Sequence, residues 1–246
     1  MNILSQSQML RGDDFKLNDK LIIKNRTIGE ITDFGNDKYF NAISVFIQRP
    51  FDLCVSLDNA DIDYQKLSDF QMCIYLMQNK ESQENLKFLY GDLNFQTVIE
   101  DETNYIVLLD PINGVIIDEV KYTYISNYLK TINCIELKPI RIFPYESDRK
   151  EFIDHERGKL KRELEKQLRN KKPIEEDSMS KLITALAWGN SSGINIFNIW
   201  DLNTFQFYSG LKTVDKQKYV SYLMQGIYSG NVDSKNINKD DLNWMI

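Results

Sequence analysis

The chain has 246 residues, 27% of them charged and 42% hydrophobic, with a formal net charge of −6. That length supports one large domain or two modest ones with a core that needs no staples, and the composition is globular, not disordered. The acidic balance argues against a general nucleic-acid coat, and no apolar run approaches the roughly 18 residues of a membrane span.

The opening MNILSQSQMLRGDDF has no basic region followed by an apolar core, so no secretory leader is expected, and the stretch FKLNDKLIIKNRTIGEITDFG suits a short extended arm. KLIIKN then reads as a strand, with a turn and a new element at TIGEI. From Asp37 the pattern is helical: Tyr39, Ala42, Ile43, Phe46 and Ile47 fall on one face, and Pro50 stops the helix. FDLCVSLDNADID is apolar and then acidic, a loose stretch. YQKLSDFQMCIYLMQ repeats Leu67, Phe70, Cys73, Ile74 and Met77 at helical spacing, and SQENLKFLYG reads as a short helix ending at Gly91. Residues 93–118 change in kind. Three β-rich runs separated by DET and PING predict a small antiparallel meander inserted between helices. EVKYTYISNYLKTINCI returns to helix, with Val120, Tyr124, Tyr128 and Leu129 on the packing face.

ELKPIRIFPYESD, extended and with two prolines, marks a boundary. Residues 149–172 hold ten basic and five acidic side chains, with Leu160, Leu164 and Leu168 in a single stripe. This is an exposed amphipathic helix, too short a repeat for a coiled coil. NKKPIEEDSM is a linker, and Ser178 can cap the helix that follows. That helix runs to Trp188 and breaks at GNSSG. INIFNIWDLNTFQFY carries one charge, Asp201, which can cap a new turn at Leu202; Gly210 closes the segment. A helix apolar on most faces must be surrounded by protein, either its own core or a partner. DKQKYVSYLMQGIYSG forms one more helix. The polar tail ends in an apolar knob of Leu242, Trp244, Met245 and Ile246, expected to dock because a tryptophan gains by burial.

Chemistry finds few footholds. His155 is the single histidine, with Glu151 one turn away, and reads as a solvated residue on a charged helix. Without a second histidine or a paired-cysteine spacing, a zinc site of the usual N/S type is not expected. Carboxylates are plentiful, but no motif singles any out for magnesium. DFG at 33–35 lacks the glycine-rich loop and catalytic loop of a kinase, and SGNVDSKNI lacks the lysine of a phosphate loop. Cys54, Cys73 and Cys134 read as reduced core thiols. The basic helix carries +5 against −11 elsewhere, but no aromatics interleave with its bases for stacking, so protein contact is favoured over nucleic acid.

The stretches KLNDKLIIKNRTIGEITDFGNDKYFNAISVF, WGNSSGINIFNIWDLNTFQFYSGL and YLMQGIYSGNVDSKNINKDDLNWM resemble a group of proteins encoded among the tail genes of tailed phages and prophages of Gram-positive bacteria. Some of these are labelled tail assembly chaperone. Members often have a proline where this chain has Ser192-Gly193. The resemblance implies a non-enzymatic protein of the host cell cytoplasm, with other tail proteins such as the tape measure protein as partners. It implies no catalytic residue, metal or cofactor. An aromatic groove could reversibly cover the aggregation-prone stripes of a tape measure protein. The alternatives are a structural component of the tail or baseplate, or a nucleic-acid-binding or carboxylate-site enzyme.

The expected fold is α+β, mostly α-helical with a small inserted antiparallel β meander. It has an N-terminal region (1–145), a charged helix and linker (146–177) and an aromatic-rich helical region (178–246). The candidate partner-binding residues are Trp200, Phe205, Phe207 and Tyr208, with Arg157 and Lys161 on the charged helix.

Overall fold

A computed structural model describes residues 4–99, 105–170, 178–189 and 193–233, with positions 235, 237, 238, 242 and 243 beyond them. The architecture is mostly helical with a small antiparallel meander inserted, as the sequence patterns predict. The DET turn at 101–103, most of the linker and the residues Trp244, Met245 and Ile246 lie outside the described residues.

The segment before Phe15 carries a helix, and the stretch from Phe15 forms a hairpin in place of an extended arm. Ser5 and Gln8 form a capping box that starts α1 (Gln6–Arg11), and Gly12, in the left-handed region, ends it. The Leu10 carbonyl accepts hydrogen bonds from Gln206 Nε2 at 2.7 Å and Asn203 Nδ2 at 3.4 Å, which fastens this helix to the far end of the chain. A short hairpin follows, β1 (Phe15–Lys16) with β2 (Ile22–Ile23), in register Phe15↔Ile23. The Asn18 carboxamide oxygen accepts from the amides of Lys20 and Leu21 and fixes its turn.

Helix α2 (Ile28–Phe34) opens with a Thr27–Glu30 capping box, and α3 (Asn36–Ile47) follows Gly35 directly. Every predicted apolar position of α3 is buried, because this helix packs against α2, α5 (Asp69–Met77), α6 (Lys80–Tyr90) and α7 (Glu119–Ile132). Tyr39 donates its hydroxyl to Asn133 Oδ1 at 2.9 Å, so the one polar atom on that face is satisfied. Between α3 and α5 the loose stretch holds a 3₁₀ turn (Pro50–Leu53), a helix α4 (Cys54–Asn59) and a second 3₁₀ turn (Tyr64–Lys66). Helix α5 starts at its Ser68–Gln71 capping box, not at Tyr64. On α7, Tyr128 and Leu129 are buried and Tyr124 packs partly against the core, whereas Val120 in the first turn is exposed.

The meander comprises β3 (Gln96–Ile99), β4 (Ile106–Asp110) and β5 (Val115–Ile117), ordered β3-β4-β5, with Val98↔Val107 and Leu109↔Ile116 in register. Leu108, Val115 and Ile117 face the core. At the β4–β5 turn the buried carboxylate of Asp110 accepts from the amides of Asn94, Ile112 and Asn113 and from Asn113 Nδ2, all at 2.9–3.0 Å.

The long helices differ from expectation at their ends. Helix α8 spans Glu146–Asn170, and α9 spans Ser178–Gly189. The aromatic segment is not one helix. A turn at 196–198 leads to a 3₁₀ turn (Ile199–Asp201), and Asn203, not Asp201, caps the next helix through a box with Gln206. That helix, α10 (Thr204–Tyr228), runs through Gly210 without a break. A Cβ on Gly210 would meet Leu186 at 3.6 Å, ordinary contact, and its φ is not positive. Gly210→Ala is therefore expected to stabilise the fold by about 0.5–1 kcal/mol, read as a higher urea midpoint; a glycine closing a helix in the left-handed region would give the opposite sign.

One core runs across the boundary drawn at residue 178. Met179, Ile183, Leu186, Ile199, Phe205 and Phe207 belong to the same buried cluster as Leu21, Ile23, Ile28 and Phe46. A second, smaller cluster joins Cys54, Val55, Leu57, Tyr64, Met72 and Ile153.

Candidate partner-binding surface

The C-terminal segment is locked to the body by backbone bonds as well as packing. Ile28 N donates to the Leu202 carbonyl at 2.9 Å, and Thr204 N to the Arg26 carbonyl at 3.2 Å. Gly29 lets the Trp200 backbone approach: a Cβ there would lie 3.1 Å from the Trp200 carbonyl oxygen. With residues 199–204 held in this way, the side chains on either side are sorted into inside and outside.

The predicted aromatic residues divide accordingly. Phe205 and Phe207 are core side chains, in place of a docking face, because the Asn203 cap sets α10 so that both point into the body. Trp200 and Tyr208 are half-buried and pack against the same core. Tyr208 stands edge-on to Phe207 with ring centroids 5.2 Å apart, and burial pushes its hydroxyl pKa up to about 12. The chain thus spends most of this group on its own interior.

The aromatic rings left outward are ones that the sequence did not single out. Phe197 is 88% exposed and Trp188 is 73% exposed. Phe197 is held there by an asparagine network: its amide donates to Asn195 Oδ1 at 2.9 Å, Asn195 N donates to Asn198 Oδ1 at 2.8 Å, and Asn198 Nδ2 donates to the Gly193 carbonyl at 2.9 Å. Asn195 and Asn198, following Gly193, are the turn signal that the sequence offered here, since asparagine side chains bond nearby backbone groups and fix a turn. Further along α10, Tyr219, Tyr222 and Tyr228 are exposed.

The charged helix α8 supplies the other predicted residues. Arg157 donates to Asp58 Oδ2 at 2.7 Å and also pairs with Asp154, so it holds α8 on α4. Lys161, one turn later, is exposed. Arg149 pairs with Asp63. Desolvation pushes the Asp63 pKa up, but the bonds from Arg149 and the Gln65 amide outweigh it and hold the carboxyl below the usual range. His155 is exposed on the same helix.

Among the described residues, no group of three or more His, Cys, Asp or Glu side chains is arranged to hold a metal ion, and no helix is long and apolar enough to cross a membrane. Cys54 and Cys73 are buried, and burial pushes both thiol pKa values up.

Over residues 170–246 the chain is similar to a family whose model is described as the YomV second domain. The matched segment begins at the end of α8 and takes in α9 and α10. No curated protein and no solved structure matches the chain.

Proposed function

We propose that this chain is a non-enzymatic, partner-binding protein of phage tail assembly: a chaperone of the host cytoplasm that holds other tail proteins, such as the tape measure protein, until they are incorporated. The observation that carries the partner-binding part is the outward placement of Trp188 and Phe197, while the aromatics that follow them, Trp200, Phe205, Phe207 and Tyr208, pack against the core. Large apolar side chains on ordered, hydrogen-bonded backbone mark interaction sites, and aromatic anchors contribute most of the binding energy at such sites. Phe197 is preorganised by its turn, so little ordering entropy remains to oppose binding. The tail context rests on the resemblance of the sequence to tail-gene proteins.

The test compares quantitative mass spectrometry of purified particles and infected-cell lysate, with tail proteins captured on the tagged chain. A chaperone is abundant in lysate, absent from particles, and retains a tail protein. Replacing Trp188 and Phe197 together by serine is expected to weaken that capture at least about tenfold with no loss of fold, since both side chains are exposed. Fixed copies in particles would instead establish a structural component of the tail. Capture of no tail protein would overturn the reading.

A further inference from the structure

The second half of α10 outruns the body. Helix α9 ends at Gly189 beside Lys218, whose Nζ would lie 3.0 Å from a Cβ on that glycine. Leu211 and Val214 still pack against the main core, but among the described residues no side chain of α10 beyond them does. Over residues 219–230 the helix nevertheless carries Val220, Leu223, Met224 and Ile227. Their spacing of three and four sets them on one stripe. All four are half-buried, whereas Tyr219, Tyr222 and Tyr228, on the remaining faces, are exposed.

The chain turns back at the end of this stripe. Gly230 adopts a φ of +75°, and the amides of Asn231 and Val232 both donate to the Gly226 carbonyl, at 3.0 Å and 3.1 Å. This reversal lays Val232 on the helix. A Cβ on Gly226 would lie 2.8 Å from Val232 Cγ2, so the glycine is what admits the returning chain. The sequence beyond is polar except at Ile237, Leu242, Trp244, Met245 and Ile246. Where this segment is described, Ile237 and Leu242 are half-buried, and Lys235, Asn238 and Asn243 are exposed. Its apolar side chains are thus sheltered and its polar ones face water.

We propose that the stripe on the second half of α10 is the docking face of this chain's own C-terminal segment, with Leu242, Trp244, Met245 and Ile246 seated on Val220, Leu223, Met224 and Ile227. The length of chain and its starting point select this occupant. The residues beyond Val232 can reach about 45 Å when extended. The stripe is only about 10 Å long, and the chain already starts back along it. Residues 219–230 and 242–246 bear no charged side chain, so their contact strands no ion and electrostatics gives a separate partner no advantage. Tethering decides between this segment and a second copy, because a short linker holds it at an effective concentration of about a millimolar. Burial of a tryptophan and three other large apolar side chains supplies the driving force. Nothing in this contact depends on Phe197 or on the proteins of phage assembly.

The experiment uses the full chain with Trp188→Phe and Trp200→Phe, which leaves Trp244 as its one tryptophan. Emission and iodide quenching are compared with those of a synthetic peptide of residues 234–246. Docking is expected to shift the emission to the blue and to lower quenching at least about threefold against the peptide, at every protein concentration. Adding Leu223→Gln and Met224→Gln is expected to return both readings to those of the peptide. Tyr222→Gln, on the opposite side of α10, leaves them unchanged. Circular dichroism checks each variant, and both glutamine positions lie outside the main core, so the fold is retained. A peptide-like Trp244 in the full chain would overturn the proposal, as would shielding that ignores the two glutamines. Shielding that grows with protein concentration would also overturn it and give the stripe to a second copy. Hydroxyl-radical labelling supplies a second reading in the chain with Trp188 and Trp200 intact. There, Leu242→Ser with Trp244→Ser is expected to raise labelling of Leu223 and Met224 at least about threefold and to leave Tyr222 unchanged. Equal labelling of the native and serine chains would overturn the proposal.

Discussion

Phe207→Ala is expected to lower the stability of the fold by about 3–5 kcal/mol, whereas Phe197→Ala changes it by no more than about 0.5 kcal/mol. The two residues lie within one aromatic run and would be hard to tell apart by composition. Phe207 is fully buried in the main cluster beside Tyr208, so truncation removes its transfer energy and leaves a cavity. Phe197 stands in water and has little burial to lose. Urea unfolding of both variants, with the slope checked for constancy, measures the contrast. Comparable losses would mean that the Phe197 turn is packed against the body in solution.

Asp110→Ala is expected to cost about 2–3 kcal/mol, because it strands the amides of Ile112 and Asn113 in the β4–β5 turn and of Asn94 before β3, which the carboxylate now satisfies. Acid should expose the same interaction. Desolvation pushes the Asp110 pKa up, but the four hydrogen bonds outweigh it, and the folded value lies below the ordinary one. A group with a depressed folded pKa contributes fully above its unfolded value, near 3.9, and loses that contribution as pH falls through the folded value. The urea midpoints of the native chain and of Asp110→Asn are therefore expected to differ by a constant amount near neutrality and to converge below about pH 4. A gap that persisted through that range would place the effect in turn geometry and not in charge.

Periodicity and turn chemistry made much of the fold legible. The face of α3 could be read residue by residue, since a 3.6-residue repeat ending at Pro50 admits one packing direction. The meander was legible from its β-branched runs and intervening turns. What misled was punctuation. Gly210 looks like a stop, but it lies inside a continuous helix beside Leu186, with ordinary room for a methyl group, and only the tertiary structure distinguishes the two uses. Asp201 is as good a cap as Asn203 by residue type, and the choice of Asn203 is made by its contacts with α1, α2 and Gln206. That choice then fixes which aromatic rings turn inward, so a surface named from aromatic content alone included two core residues, Phe205 and Phe207. The leucine stripe of α8 was legible because an isolated amphipathic pattern shows directly in sequence. Where the body stops covering it was not, since that depends on Asp58 and Asp63, which lie nearly a hundred residues earlier.

The core that joins residues on both sides of α8 has a further consequence. Phe205, Phe207 and Ile199 are held by the N-terminal body through side chains and backbone bonds that owe nothing to the peptide running through residues 159–170 of α8. That stretch is mechanically idle: a protease that nicked it would leave two fragments still assembled as one particle. The same independence means that a change of length or sequence there can be made without the rest of the molecule having to answer.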